Sequence, residues 1–416
     1  MVDAFTFLLL IGVSWIILLT ITNNKWYKLS NPEVGLGYLM YRTKTFNIIL
    51  DKFAGISRSL WRIFFDIGLL VCFGFLLASV VMFSVNLFKY TELLAISAGF
   101  LPKPSPQNSI QTLPFVPAIP GISIGFETLP YFFVAIAIAA ALHELAHGVA
   151  ARAENIDLKS TGLLFFLFFF GAFVEPDEKS LKKAKARSKL RVYAAGAFTN
   201  IVLVLILLVF LTPVFFNAMM GPFFSPNSSG ALVVEVCPAP IKTSDCGADN
   251  ILHVNDVIVQ AQYQNTTNIA VRSNNDFSLF ASQLKANETI SLTLLGKQNP
   301  VILETTPYPT NASRGLIGIS VTNYYKPAYS FLPLQMPFWY LRTVSITLSL
   351  SLILALVNLL PVPPLDGDKI ASEIIQYFTK SESKYKFYLK WVRIATLIIV
   401  LGNLVLTFVV TGWTPI

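Results

Sequence analysis

Two of the three histidines in the 416-residue chain stand in His143-Glu144-Leu145-Ala146-His147. Histidines four apart on a helix project from one face a single turn apart, so both imidazoles can reach one metal ion. Glu144 is rotated about 100° from His143, too far round to be a third ligand, and is placed to take a proton from a water that the metal activates. The chemistry such a set supports is hydrolysis with a carboxylate as general base. With three His and twelve Glu in the chain, the pattern arises by chance on the order of once per thousand such sequences. Its place inside an apolar run, 130–151, strengthens the functional reading, because ionisable groups in such runs are costly.

Two histidines leave a catalytic metal one protein ligand short, since catalytic sites use three and keep a further position for water. The best candidate is Asp366, in Asn358-Leu-Leu-Pro361-Val-Pro-Pro-Leu-Asp366-Gly367. Pro361, Pro363 and Pro364 break helix and are expected to make an ordered, non-helical peptide that aims Asp366 inward. Asp368, Asp177 and Glu175 are the alternative ligands.

The elements that must hold these residues are membrane helices. Hydrophobic residues make up 54% of the chain and charged residues 13%, and the mean hydropathy is +0.61. That composition excludes disorder, a collagen, a disulfide scaffold and an ordinary soluble enzyme. A bilayer core needs about 20 mostly apolar residues per helix. Such runs lie at about 4–22, 63–88, 130–151, 191–216, 340–360 and 392–412, six candidate spans. The first lacks a small-residue cleavage site and reads as an anchor rather than a removed signal. A shorter apolar run of about 15 residues, 160–174, has basic residues at both ends. It reads as a re-entrant segment, an extended hairpin by its Phe-rich composition, with Gly162 and Gly171 permitting bends.

A net charge of +8 could suggest nucleic acid, but no basic stripe carries interleaved aromatics, so no nucleic-acid partner is expected. The basic residues cluster in loops instead. Seven Lys/Arg lie in 23–62, seven in 175–191 and six in 367–393, against two in 89–129. The positive-inside rule puts the three basic loops in the cytoplasm, and both termini and the segment 217–339 outside. All four Asn-x-Ser/Thr sequons, at Asn227, Asn265, Asn287 and Asn311, fall in that one external segment, which points to a glycoprotein. Cys237 and Cys246, also there, could form a disulfide outside the cytoplasm, whereas Cys72 lies in an apolar run and is expected to be packing.

His143–His147, followed far downstream by Asn358-x-x-Pro361-x-x-x-x-Asp366-Gly367, resembles the site-2 protease family of intramembrane zinc metalloproteases, from about residue 130 to the C-terminus. The resemblance implies one zinc per chain held by His143, His147 and Asp366, with Glu144 activating water. Gly196-Ala-Phe-Thr-Asn200 looks like that family's Gly-x-x-x-Asn element, with Ala197 where relatives often carry Pro. Asn200, Asn358 and Pro361 would then contact substrate. For the two asparagines, interhelical hydrogen bonding is the alternative role. The run Gly171-Ala-Phe-Val174 resembles the family's strand region, thought to take an unwound substrate by strand addition. The implied partners are single-pass membrane proteins cut within their transmembrane segments, some after a first cut outside.

Within the external segment, short alternating runs at Ala231–Val236, Asp256–Val259, Ile290–Leu295 and Pro300–Leu303 read as strands, and Phe277–Leu284 as a helix. The stretch Leu252–Ile258, then Phe277–Leu284, then Gly315–Ile319 resembles a PDZ-like domain. His253 there reads as a surface histidine.

The expected fold is thus a mainly α-helical polytopic membrane protein of about six transmembrane helices plus a membrane re-entrant β-hairpin segment, with an inserted small α+β PDZ-like extracytoplasmic domain. Its expected divisions are 1–129, N-terminal helices and loops; 130–220, the first half of the protease core; 221–335, the PDZ-like domain; and 336–416, the second half of the core. Two other functions fit the same residues, a membrane metal-ion transporter and a non-catalytic relative that binds membrane proteins. The near absence of polar groups from the first two spans disfavours the first, and the complete His/Glu/His/Asp set disfavours the second.

Overall fold

A computed structural model of the protein describes residues 4–23, 32–35, 37–102, 110–167, 169–238, 246–263, 268–308, 311–379 and 381–411. The helices are α1 Ala4–Asn23, α2 Thr45–Ile56, α3 Arg58–Ser97, α4 Leu129–Ala153, α5 Glu178–Lys183, α6 Ala186–Phe210, α7 Pro213–Met220, α8 Asn274–Ser282, α9 Met336–Asn358, α10 Asp366–Phe378 and α11 Glu382–Thr411. The strands are β1 Pro32–Gly35, β2 Tyr38–Thr43, β3 Leu158–Phe166, β4 Phe169–Pro176, β5 Ala231–Val236, β6 Val257–Tyr263, β7 Ile269–Ala270, β8 Thr289–Leu294, β9 Val301–Glu304, β10 Thr306–Tyr308, β11 Asn311–Leu316 and β12 Ile319–Asn323. The chain forms two compact units, Met1–Leu208 with Ile346–Ile416, and Val209–Ser345.

Among the described residues five helices, α3, α4, α6, α9 and α11, are long and apolar enough to cross a membrane, one fewer than the six expected. The N-terminal α1 contributes a shorter apolar stretch, Leu9–Thr20. The run expected as one span over 191–216 is two helices. α6 ends at Phe210, and Thr212 caps α7, its hydroxyl accepting from Phe215 N–H ahead of Pro213 at the first helical position. Proline lacks an N–H and disfavours helical backbone in the residue before it, so the chain breaks there despite unbroken hydrophobicity.

In the first unit, small residues set the packing. Ala146, Ala150 and Ala151 of α4, Ala194, Ala195 and Ala197 of α6, and Phe65, Cys72 and Phe198 all belong to one buried cluster. Small side chains let apolar helices approach closely, where dispersion rather than hydrophobic exclusion holds them. Cys72 is fully buried there, as its setting suggested. The expectation of an almost apolar second span needs one amendment. Asn86 of α3 donates to Asn403 Oδ1 of α11 at 2.7 Å, and Asn403 donates to Phe83 O at 2.8 Å, tying the two helices together. At the ends of α3, α4 and α6, Arg187 and Arg191 both bond Asp66, while Arg62 and Arg191 bond Glu154.

The segment 160–174 is the hairpin β3–β4, with Thr161 opposite Val174 and Leu164 opposite Gly171. It belongs to a four-stranded antiparallel sheet, β1-β2-β3-β4, whose first two strands come from residues that read only as a basic loop. The hairpin glycines do not supply bends. Gly162 makes room for the neighbouring strand, since a Cβ there would lie 2.0 Å from Tyr41 O. The tip is held from α1, where Trp15 Nε1–H donates to Leu167 O at 2.9 Å and the indole stacks on Phe165.

The second unit carries a sheet of order β12-β5-β6-β8-β9, with β7 paired to β6, and a hairpin β10-β11. Its core packs Ala231, Val233, Ile258, Phe277, Phe280, Leu292 and Leu303. Helix α8 starts earlier than expected, at Asn274. Ser273 and Asp276 form a reciprocal capping box, a start signal lying just before the apolar residues. Cys237 and Cys246 are disulfide-bonded. Asn227, Asn287 and Asn311 are exposed, and the sequon at Asn265 lies outside the described residues. His253 is exposed, as expected of a surface histidine.

Candidate metal centre

Helix α4 presents His143 and His147 to the first unit's interior, and two further elements complete the setting. Helix α6 passes behind the imidazoles, and the turn after α9 brings in α10. Asp366 is the first residue of α10, with Leu365 as its N-cap, directly after the non-helical peptide 359–365 that the prolines were expected to make. These prolines end α9 at Asn358 and form the turn 359–364, so that a new helix starts at Asp366.

Asp366 Oδ2 lies 3.0 Å from His147 Nε2 and 3.2 Å from His143 Nε2, and the two Nε2 atoms are 3.2 Å apart. A tetrahedral ion with bonds of about 2.0–2.1 Å separates its ligand atoms by about 3.3 Å, so the three donors already stand near the edges of such a coordination shell. Space is kept on the α6 side by Gly196, where a Cβ would lie 2.5 Å from both Nε2 atoms. The donor set, two imidazoles and a carboxylate, is one that zinc accepts. The residues therefore fit a metal.

Two of the three donors are oriented by a neighbour. His147 Nδ1–H donates to Val192 O at 2.7 Å. A carbonyl only accepts, so the proton sits on Nδ1 and the Nε2 lone pair faces the other donors. Lys369 Nζ donates to Asp366 Oδ1 at 3.0 Å, leaving Oδ2 for the histidines.

The alternative carboxylates are engaged elsewhere. Asp368 makes a two-point pair with Arg393 at 2.6 and 2.7 Å. Glu175 accepts from Lys159, Ser160 and Arg42, and Asp177 caps α5 through Ser180 N–H. Glu144 is outside the donor triad, and its Oε2 accepts from Val174 N–H of β4 at 3.1 Å.

A cavity of about 540 Å³ opens on the triad. Glu144, Ala172, Val174 and Asn358 line it with the ligands, as does Lys369. Asn358 Nδ2 lies 3.5 Å from His143 Nε2. Asn200 is fully buried beside His143 and, like Pro361, is not among the lining residues, whereas Pro364 and Leu365 are. Sequence reasoning missed Lys369 and Val192. The first could have been read from its place one turn after Asp366 on an amphipathic helix. A backbone carbonyl such as Val192 O leaves no signal in residue types.

A model for peptidase family M50 matches residues 131–402, which run from the start of α4 into α11 and include every residue of the triad. The chain is 28% identical over 259 residues to an uncharacterized protein of Methanocaldococcus jannaschii, covering 62% of this chain and 60% of that one. It is 25% identical over 211 residues to the membrane-bound transcription factor site-2 protease homolog of Arabidopsis thaliana, covering 50% of this chain and 38% of that one. The matches thus span less than two thirds of these relatives' own lengths. Over some two thirds of its length this chain therefore belongs to peptidase family M50, the site-2 protease family.

Proposed function

We propose that the protein is a zinc-dependent intramembrane endopeptidase that cuts within the transmembrane segments of single-pass membrane proteins, as in regulated intramembrane proteolysis. The observation that carries this reading is the convergence of Asp366 Oδ2 on both histidine Nε2 atoms within 3.2 Å, beside a Glu144 that is not one of the donors, in a chain of the M50 family. Zinc held by His143, His147 and Asp366 would supply Lewis-acid polarisation of the scissile carbonyl and a more acidic water.

The chain's own residues do the rest. Glu144, next to the ligands but not one of them, takes the proton of the attacking water and passes a proton to the leaving amine. Asn358 directs its amide N–H into the cavity next to His143, where a developing oxyanion needs a donor. A helical substrate hides its carbonyls in i→i−4 bonds and must unwind before attack. The β4 edge at Ala172 and Val174 lines the cavity, and Val174 N–H is turned away from β3 toward Glu144, so an extended segment has a backbone to lie along.

In this reading the protein is a multi-pass membrane protein with its active site toward the cytoplasm and a PDZ-like, glycosylated insert outside. The basic loops, the Cys237–Cys246 disulfide and the exposed Asn227, Asn287 and Asn311 support that orientation. The test is cleavage of a single-pass substrate carrying helix-breaking residues, co-reconstituted in lipid vesicles, with the cut mapped by mass spectrometry. A cut inside the transmembrane segment that disappears in Glu144→Gln is the expected result. Zinc-loaded wild type that cuts no such segment overturns the reading.

A further inference from the structure

We infer that Asn200 is a positioning residue of the metal centre. Its side-chain oxygen accepts a hydrogen bond from His143 Nδ1–H and so holds that imidazole in the tautomer whose Nε2 lone pair faces the metal. The inference rests on the metal-site reading above and assigns Asn200 a role away from substrate.

Asn200 Nδ2 lies 3.3 Å from His143 Nδ1, while Oδ1 is buried with no hydrogen-bond partner among the described residues. Bonding between the two nitrogens requires Nδ1 to accept, which leaves the imidazole proton on Nε2. That is the nitrogen 3.2 Å from both Asp366 Oδ2 and His147 Nε2, and a protonated Nε2 cannot ligate. Turning the carboxamide by 180° exchanges its nearly isosteric O and N. Oδ1 then meets Nδ1–H, the buried acceptor gains its donor, and Nε2 is freed for the ion. His147 already has this arrangement, its Nδ1–H donating to Val192 O at 2.7 Å.

The spacing on α6 places Asn200 for this role. Val192, Gly196 and Asn200 stand four residues apart, on successive turns of one helix face. Val192 O orients His147, Gly196 leaves the gap in which a Cβ would strike both Nε2 atoms, and Asn200 meets His143. One face of α6 thus orients both imidazoles of α4, and the Gly-x-x-x-Asn spacing follows from the one-turn separation of the two histidines. Asn358, which lines the cavity, is left as the asparagine available to substrate.

The experiment measures zinc affinity by chelator competition in purified full-length wild type, Asn200→Leu and Asn200→Asp, with folding checked by thermal unfolding. The leucine has similar volume and no acceptor, whereas the carboxylate keeps one. The expected result is a 10–100-fold loss of affinity in Asn200→Leu, the range for removing a ligand's hydrogen-bond partner, and affinity within a few fold of wild type in Asn200→Asp. Asn200→Ala replaces the leucine variant if that one does not fold. Wild-type affinity in Asn200→Leu overturns the inference, as does equal loss in Asn200→Leu and Asn200→Asp, which would assign the effect to packing. Wild type that binds no zinc would instead refute the metal centre itself.

Discussion

Glu144 Oε2 accepts a hydrogen bond from the backbone N–H of Val174 at 3.1 Å, so the carboxylate next to the metal triad touches the edge strand of the hairpin directly. One side chain thereby ties α4 to the edge strand β4. Replacing Glu144 by Gln keeps the side chain's size and its capacity to accept from Val174, and removes only the base. Cleavage in Glu144→Gln is expected to fall by about 10²–10⁴-fold, with zinc content by mass spectrometry unchanged.

Gly196 gives a sharper test of the triad's geometry. Gly196→Ala places a Cβ where both Nε2 atoms lie within 2.5 Å of it. In a helix interior alanine is favoured over glycine by about 1 kcal/mol, so the helix itself gains. Zinc binding is expected to be lost without loss of helicity, measured by metal analysis and circular dichroism on the same sample.

The two aspartates in the first turn of α10, Asp366 and Asp368, separate by their partners. Asp366→Asn is expected to abolish zinc binding, since Asp366 Oδ2 is the third donor. Asp368→Asn is expected to keep zinc, but to lower stability by roughly 1.5–3 kcal/mol through loss of charged hydrogen bonds to Arg393. Thermal unfolding alongside metal content distinguishes them.

Trp15 acts on the hairpin from outside the matched region. Trp15→Ala removes the bond to Leu167 O and the stack on Phe165. Faster hydrogen exchange at the tip, residues 165–167, is the expected outcome, with zinc affinity unaltered because no triad residue touches Trp15.

Much of this was legible in residue types and spacing. The His-Glu-x-x-His helix, the apolar runs and the hairpin at 160–174 follow from periodicity and composition, which act over a few residues and leave a local trace. The proline cluster announced the turn before Asp366. Other features depend on partners distant in the chain. Asp366 rather than Asp368 meets the histidines because Arg393 holds Asp368 and Lys369 turns the Asp366 carboxylate, contacts that no motif encodes. Strands β1 and β2 join the hairpin through backbone pairing across more than 100 residues, which residue types specify only weakly. The run over 191–216 divides where Thr212-Pro213 outweighs hydrophobicity. The sequence by itself determined the set His143, Glu144, His147 and Asp366 and the helix that presents the first three. The tertiary structure alone decided how those donors are turned toward one another, because that is set by hydrogen bonds between elements that meet only once the chain is packed.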